Sequence, residues 1–185
     1  MRVNAEWRPV GRPVRGGGAE PVTAPAGALW PSTLDAKSRI YALLDAARDE
    51  RIYPALLQSG CEWLCLYRGN AAATLADAAP YLVRLERGAH FTEWLLEHGW
   101  GNSWGVFLHA RVAIERLKAH FRRLVLAQLP DGRMVFFRFY DPRVLRVYLP
   151  TCTAGERETL FGPVDRFIFE NGVASTASAV VESAC

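Results

Sequence analysis

The residues able to make or break bonds are few and poorly arranged for it. The four cysteines stand at positions 61, 65, 152 and 185. Cys61 and Cys65 share one face of an apolar, strand-like run with Trp63 and Tyr67. Four residues of extended chain put their backbones ~13 Å apart, too far for a disulfide. A zinc site needs closer pairs with histidines at defined spacing, and neither is present. A cysteine hydrolase built on Cys61 or Cys65 with a nearby histidine needs a thiolate in an exposed, electropositive setting, and the apolar run opposes it. Cys185 ends the chain and is expected to be exposed. The histidines, at 90, 98, 109 and 120, do not pair with one another or with cysteine at ligand spacing. His109 ends a strand-like segment and is the one most open to a catalytic role. Gly16-Gly17-Gly18 follows no strand and opens no helix, so it is no phosphate-cradling loop. A Gly-x-Ser-x-Gly elbow is missing too. No catalytic set, metal or cofactor is expected.

Recognition chemistry is better represented. The aromatic strand Met134-Val135-Phe136-Phe137-Arg138-Phe139-Tyr140 runs straight into Asp141-Pro142-Arg143. Asp accepts orphan backbone N–H groups at a helix start, and Pro suits the first helical position. A sharp, rigid corner should result, with Asp141 and Arg143 as a polar contact point for a partner or an internal ion pair. Trp100-Gly101-Asn102-Ser103-Trp104-Gly105 sets two tryptophans around a short loop. Tryptophan is the residue most enriched at binding hot spots, so Trp100 and Trp104 are candidate contacts beside the plainer reading of core packing. Arg111, Arg116, Lys118, Arg122 and Arg123 make one amphipathic helix basic. Arg116 is taken as its candidate contact to an acidic peptide or protein surface. Nucleic acid is a weaker reading, because no aromatic stacking platform is interleaved with these charges.

A chain of 185 residues with half of them hydrophobic and 22% charged can build one domain with a real core. The net charge of +3 does not by itself imply nucleic acid. No apolar run reaches the ~18 residues of a membrane span, and the N-terminus lacks a secretory h-region. The expected location is the cytoplasm. Residues 1–31 hold five of the eleven prolines and five of the fifteen glycines, so they are expected to form a flexible Gly/Pro/Arg-rich tail, with Trp7 and Trp30 as possible anchors. Residues 32–170 form the single domain. Residues 171–185 are a low-complexity C-terminal tail, expected to fray.

Within the domain, strands are expected at 39–45, 61–67, 80–85, 103–108 and 164–169. The third is taken as edge-like because of Pro80. A turn and helix are expected at 46–58, a short helix or turn at 72–79, and helices at 90–98, 112–123, 142–149 and 154–161, with Gly99 capping the helix at 90–98. Pro130-Asp131-Gly132 between apolar runs predicts a β-hairpin near 124–139. The fold class is therefore α/β in composition, a mixed α+β arrangement with a mixed β-sheet and flanking short helices.

Several ordered blocks resemble one family. They are Tyr41-Ala42-Leu43-Leu44-Asp45-Ala46-Ala47-Arg48, Tyr53-Pro54-Ala55-Leu56-Leu57, Ala78-Ala79-Pro80-Tyr81-Leu82-Val83, Gly99-Trp100-Gly101-Asn102-Ser103-Trp104-Gly105-Val106-Phe107-Leu108, Phe137-Arg138-Phe139-Tyr140-Asp141-Pro142-Arg143-Val144-Leu145 and Phe161-Gly162-Pro163. Over about residues 39–170 the chain is similar to the effector-adaptor (chaperone) family of type VI secretion in Gram-negative bacteria, long described as a domain of unknown function. The resemblance implies a non-enzymatic, cytoplasmic protein. It would bind a toxic effector and help load it on the C-terminal region of the valine-glycine-repeat spike protein, sometimes with a spike-tip protein, for toxin delivery. It implies no nucleic-acid or membrane partner and transfers no contact residues. Trp100, Trp104, Asp141, Arg143 and Arg116 are chosen from their chemistry. The alternatives are a small cysteine-dependent hydrolase and a weak nucleic-acid-binding module.

Overall fold

Strand β1 (Arg39–Asp45) is buried at every position from Ile40 onward, which requires cover on both faces of the sheet. The computed structural model describes residues 26–128, 131–170 and 172–175 and supplies that cover. The chain runs α1 (Ala26–Leu29), β1, α2 (Ile52–Gln58), β2 (Trp63–Cys65), α3 (Gly69–Thr74), β3 (Pro80–Leu85), α4 (His90–Gly99), β4 (Gly105–Ala110) and α5 (Ile114–Leu124). It continues with β5 (Leu126–Gln128), β6 (Met134–Phe136), α6 (Pro142–Tyr148), α7 (Ala154–Phe161), β7 (Val164–Phe169) and β8 (Gly172–Ser175). Six strands form one sheet in the order β2-β3-β1-β4-β7-β8, and β5 pairs with β6 as a separate hairpin.

Strand alternation divides the core in two. Tyr41, Leu43, Leu82, Val106, Leu108 and Phe167 face a layer containing Ile114, Leu117 and Phe121 of α5, Leu145 of α6, and Leu160 and Phe161 of α7. Ala42, Leu44, Tyr81, Val83 and Phe107 face Leu29, Ile52 and Leu56 of α1 and α2, and Phe91, Trp94 and Leu95 of α4. Each of these helices turns its apolar residues to its face of the sheet, whereas α3 buries none of its residues.

The α+β architecture, the short flanking helices and the hairpin are as expected. The sheet is not mixed: every pairing among the described residues is antiparallel. Alternating strands and helices suggested parallel neighbours, and the crossover β3–α4–β4 does join two parallel strands. However, β1 lies between them, antiparallel to both. β3 is also no edge. It pairs with β1 on one side and β2 on the other, and Pro80 is tolerated as its first residue. The true edge is β2, reduced to three residues. β8, beyond the expected last strand, pairs with β7.

Two glycines enforce close approaches. Gly99 is the last residue of α4 and not the left-handed cap expected of it; glycine is required there because a Cβ would meet the Trp104 ring at 2.9 Å. A Cβ on Gly105 would strike the backbone carbonyl of Leu43, so no other residue fits where β4 enters beside β1.

At the N-terminal end, part of the segment expected as a tail is docked. Leu29 is buried, Trp30 packs on the same core, and the Leu29 carbonyl accepts from His109 Nε2 at 2.9 Å. Trp7 and Cys185 lie outside the described residues.

Candidate partner-binding groove

The sequence candidates gather mostly at one end of the sheet. Trp104 and Trp100 are buried, 2% and 8% exposed. Trp104 packs against Trp94 at 5.4 Å and Trp100 against Phe107 at 5.8 Å, and the Arg51 guanidinium lies over the Trp104 ring at 5.1 Å. Their loop is pinned from the residue that follows β7: Ser103 N donates to Glu170 Oε1 at 2.6 Å and its hydroxyl to Oε2 at 3.2 Å. Both rings thus contribute packing area to the core and offer little surface to a partner.

The Asp-Pro-Arg corner forms as the residues dictate. Asp141 N-caps α6 with Pro142 in the first turn. Its carboxylate accepts from Arg143 N at 3.0 Å and from the Arg143 side chain at 2.9 and 2.6 Å. Arg138 donates to buried Asp45 and stands 4.0 Å from Asp141. Burial raises the Asp141 pKa, but the hydrogen bonds and charge of Arg143 outweigh it and leave the carboxyl below its ordinary value. The corner is therefore satisfied internally, with half-exposed Arg143 at its rim.

The basic helix splits its arginines between two tasks. Arg122 turns inward along the β2 end. Its Nε donates to Leu66 O at 3.1 Å, and its Nη2 to Cys65 O at 3.0 Å and Tyr67 O at 2.8 Å. Arg116 and Arg123 are exposed. They are seven residues apart, two helical turns, and so lie on one stripe.

Beside Arg123 lies a groove of about 580 Å³ between the β2–α3 connection, the end of α5 and the β5–β6 hairpin. Its apolar lining includes Leu66, Tyr67, Leu75, Val125, Leu126, Met134 and Phe136, and Arg68 and Arg123 stand on its rim. Leu75, Leu126, Met134 and Phe136 are 46%, 49%, 57% and 61% exposed. They are four of the six exposed large hydrophobic residues among those described, so the exposed apolar surface is concentrated here, as at binding sites. Phe136 faces Leu126 directly across the hairpin and touches Tyr67 at 5.9 Å between ring centres.

Residues 40–159 match the family model described as domain of unknown function DUF4123. The chain belongs to this family. It is the effector-adaptor family to which the ordered sequence blocks are similar. The accessory protein VasW of Vibrio cholerae serotype O1 is 28% identical over 120 residues, covering 64% of this chain and 40% of VasW. The chain therefore spans less than half of that relative's length. No solved structure matches the chain.

The DUF4123 span contains the whole groove and the acid–arginine corner. Sequence reading missed Leu75, Leu126, Met134 and Phe136. A signal was present: in a two-stranded ribbon, Met134 and Phe136 share one face, Val135 and Phe137 the other, and a ribbon apolar on both faces must leave one uncovered unless a further layer packs on it.

The thiols in this DUF4123 domain are not activated. Burial raises the pKa values of Cys61, Cys65 and Cys152, and the Cys61 thiol donates to Ser59 O at 3.8 Å. The rings of His98, His109 and His120 bond backbone carbonyls. Among the described residues, no group of three His, Cys, Asp or Glu side chains could hold a metal ion, and no helix is long and apolar enough to cross a membrane.

Proposed function

We propose that this protein is a cytoplasmic adaptor of type VI secretion. It binds a toxic effector and promotes its loading onto the C-terminal region of the valine-glycine-repeat spike protein. It works by holding other proteins and catalyses no reaction. Membership in DUF4123 and the similarity to an accessory protein support the coarse role. The observation that carries the reading is the arginine-rimmed apolar groove, whose exposed side chains fit a protein partner better than solvent.

The test is co-expression of the tagged full chain with the toxin encoded beside its gene and with the spike's C-terminal region. Recovery of the toxin in a complex that also captures the spike segment supports the role. Failure to retain either protein refutes it. Turnover of any substrate by pure protein refutes the non-enzymatic part.

A further inference from the structure

We infer that the groove beside Arg123 seats an acidic, amphipathic helix from the partner, and that the β2 edge does not accept a partner strand. The identity of the partner rests on the adaptor reading; the chemistry of the groove does not.

The apolar requirement comes from Leu75, Leu126, Met134 and Phe136, all about half exposed. They line one groove. The charge requirement comes from the rim. Arg68 and Arg123 line the groove, no acidic residue does, and neither arginine makes an ion pair among the described residues. Arg116 extends the positive stripe two turns along α5. An incoming segment with apolar residues on one face and Asp or Glu at its flanks meets both requirements.

Arg122 argues against a partner strand added to the six-stranded sheet at this groove. A partner strand would add to the outward main-chain groups at the end of β2. The carbonyls of Cys65 and Tyr67 that such a strand would bond already accept from Arg122 Nη2, and Leu66 O accepts from its Nε. The edge is closed at the point where it meets the groove.

The chain's own ends are poor occupants. Residues 1–25 carry four Arg against two Glu and would be repelled by the rim. Residues 176–185 follow β8, which lies at the opposite edge of the sheet from β2, five strand spacings or about 24 Å away. They carry one acid, Glu182.

The experiment selects a displayed library of random peptides of about 16 residues, some four helical turns, on immobilised full-length protein. Enriched peptides are synthesised and their affinity is measured by fluorescence anisotropy. The expected winners carry apolar residues at i, i+3 or i+4, and i+7, with Asp or Glu alongside. F136E, and separately the pair R68E/R123E, should each weaken binding at least about tenfold without shifting the thermal midpoint, because these side chains are exposed. Affinity should fall as salt rises. An empty selection, winners with apolar residues at every second position, basic winners, or full affinity in F136E would each overturn the assignment. Failure here can be told from failure of the adaptor reading. If F136E protein retains both the toxin and the spike segment as the wild type does, the groove is wrong and the adaptor stands; if the wild-type chain captures neither, the adaptor reading itself falls.

Discussion

Arg138 donates its guanidinium to the carboxylate of Asp45, which lies 93 residues earlier in the chain. The acid is 2% exposed and the base 42%. Asp45 also accepts from Ala47 N at 3.2 Å, and its own N–H donates to Trp104 O at 2.8 Å. One residue thus joins the end of β1, the turn after it, the tryptophan loop and the strand-to-helix corner. Replacing Arg138 by Met leaves a buried carboxylate short of its strongest donor. We expect a loss of about 1–3 kcal/mol, less than for a fully buried pair because Arg138 keeps contact with solvent. Urea unfolding measures it. The double variant D45N/R138M should lose less than the sum of the single changes; strict additivity would mean the two groups do not act as a pair.

Asp141 makes the acid limb of stability predictable. Its folded pKa is depressed below the unfolded value of about 3.9, because the Arg143 bonds overcome the effect of burial. Its contribution is therefore full above that value and is lost as pH falls through the folded pKa. D141N should flatten the decline in unfolding free energy below about pH 4. D141A should also lose the cap, about 1 kcal/mol. A D141N acid limb that superimposes on the wild-type curve would show that other carboxylates, Asp49 among them, dominate it.

The two buried histidines act at higher pH. His109 and His120 each bond a backbone carbonyl through Nε2, at 2.9 and 3.0 Å. A carbonyl only accepts, so each Nε2 carries the proton in the neutral ring. Burial holds both pKa values below the ordinary histidine value, although the carbonyl bonds oppose it. Folded histidines that resist protonation stabilise fully above the unfolded pKa of about 6.5 and lose that contribution as pH falls below it. Unfolding free energy should thus decline from about pH 7 toward pH 5, well before the carboxylates titrate. The side-chain NMR titration of each ring should have its midpoint below that of an unfolded histidine. A midpoint at or above the unfolded value for either ring contradicts the account.

His120 also explains a glycine. Gly162 ends α7 with φ of +49°, and a Cβ there would collide with the His120 ring. Backbone strain and overlap with a buried side chain act together, so G162A should destabilise by about 2–4 kcal/mol. Gly132 also has positive φ but open space around its Cβ position, so G132A should lose about 1 kcal/mol, the backbone strain alone. Equal losses at the two sites would remove the steric part of the argument.

These residues also show what was legible from sequence. Both boundaries of β1 and β3 could be read, because their apolar runs are flanked by polar or turn-forming residues and their burial is nearly complete. The Asp141-Pro142 junction was readable because capping is local chemistry. The role of Trp100 and Trp104 was not: a large apolar ring packs equally well into a core or a partner, and only the tertiary position decides. The groove was hidden for a related reason. Its walls come from residues near 66–75, 122–126 and 134–136, joined by packing that no local pattern encodes. Arg122 and Arg123 are identical neighbours on one basic helix, and a rotation of about 100° between them separates a sheet lock from a rim charge.

That pair supplies a direct comparison. Arg122 satisfies three carbonyls at the sheet edge with one planar, forked group. A lysine ammonium cannot reproduce that fork. R122M should destabilise by about 1–3 kcal/mol, with R122K intermediate. Freeing the carbonyls at and just beyond the end of β2 also opens an edge to pairing between molecules, so R122M should show mass growing with concentration in light scattering. R123M removes an exposed charge with no partner among the described residues, so its stability should stay within about 0.5 kcal/mol of wild type. Two variants of equal stability, both monomeric at high concentration, would mean that the β2 edge is held by something other than Arg122. The case for a helix rather than a strand in the neighbouring groove would then lose its footing.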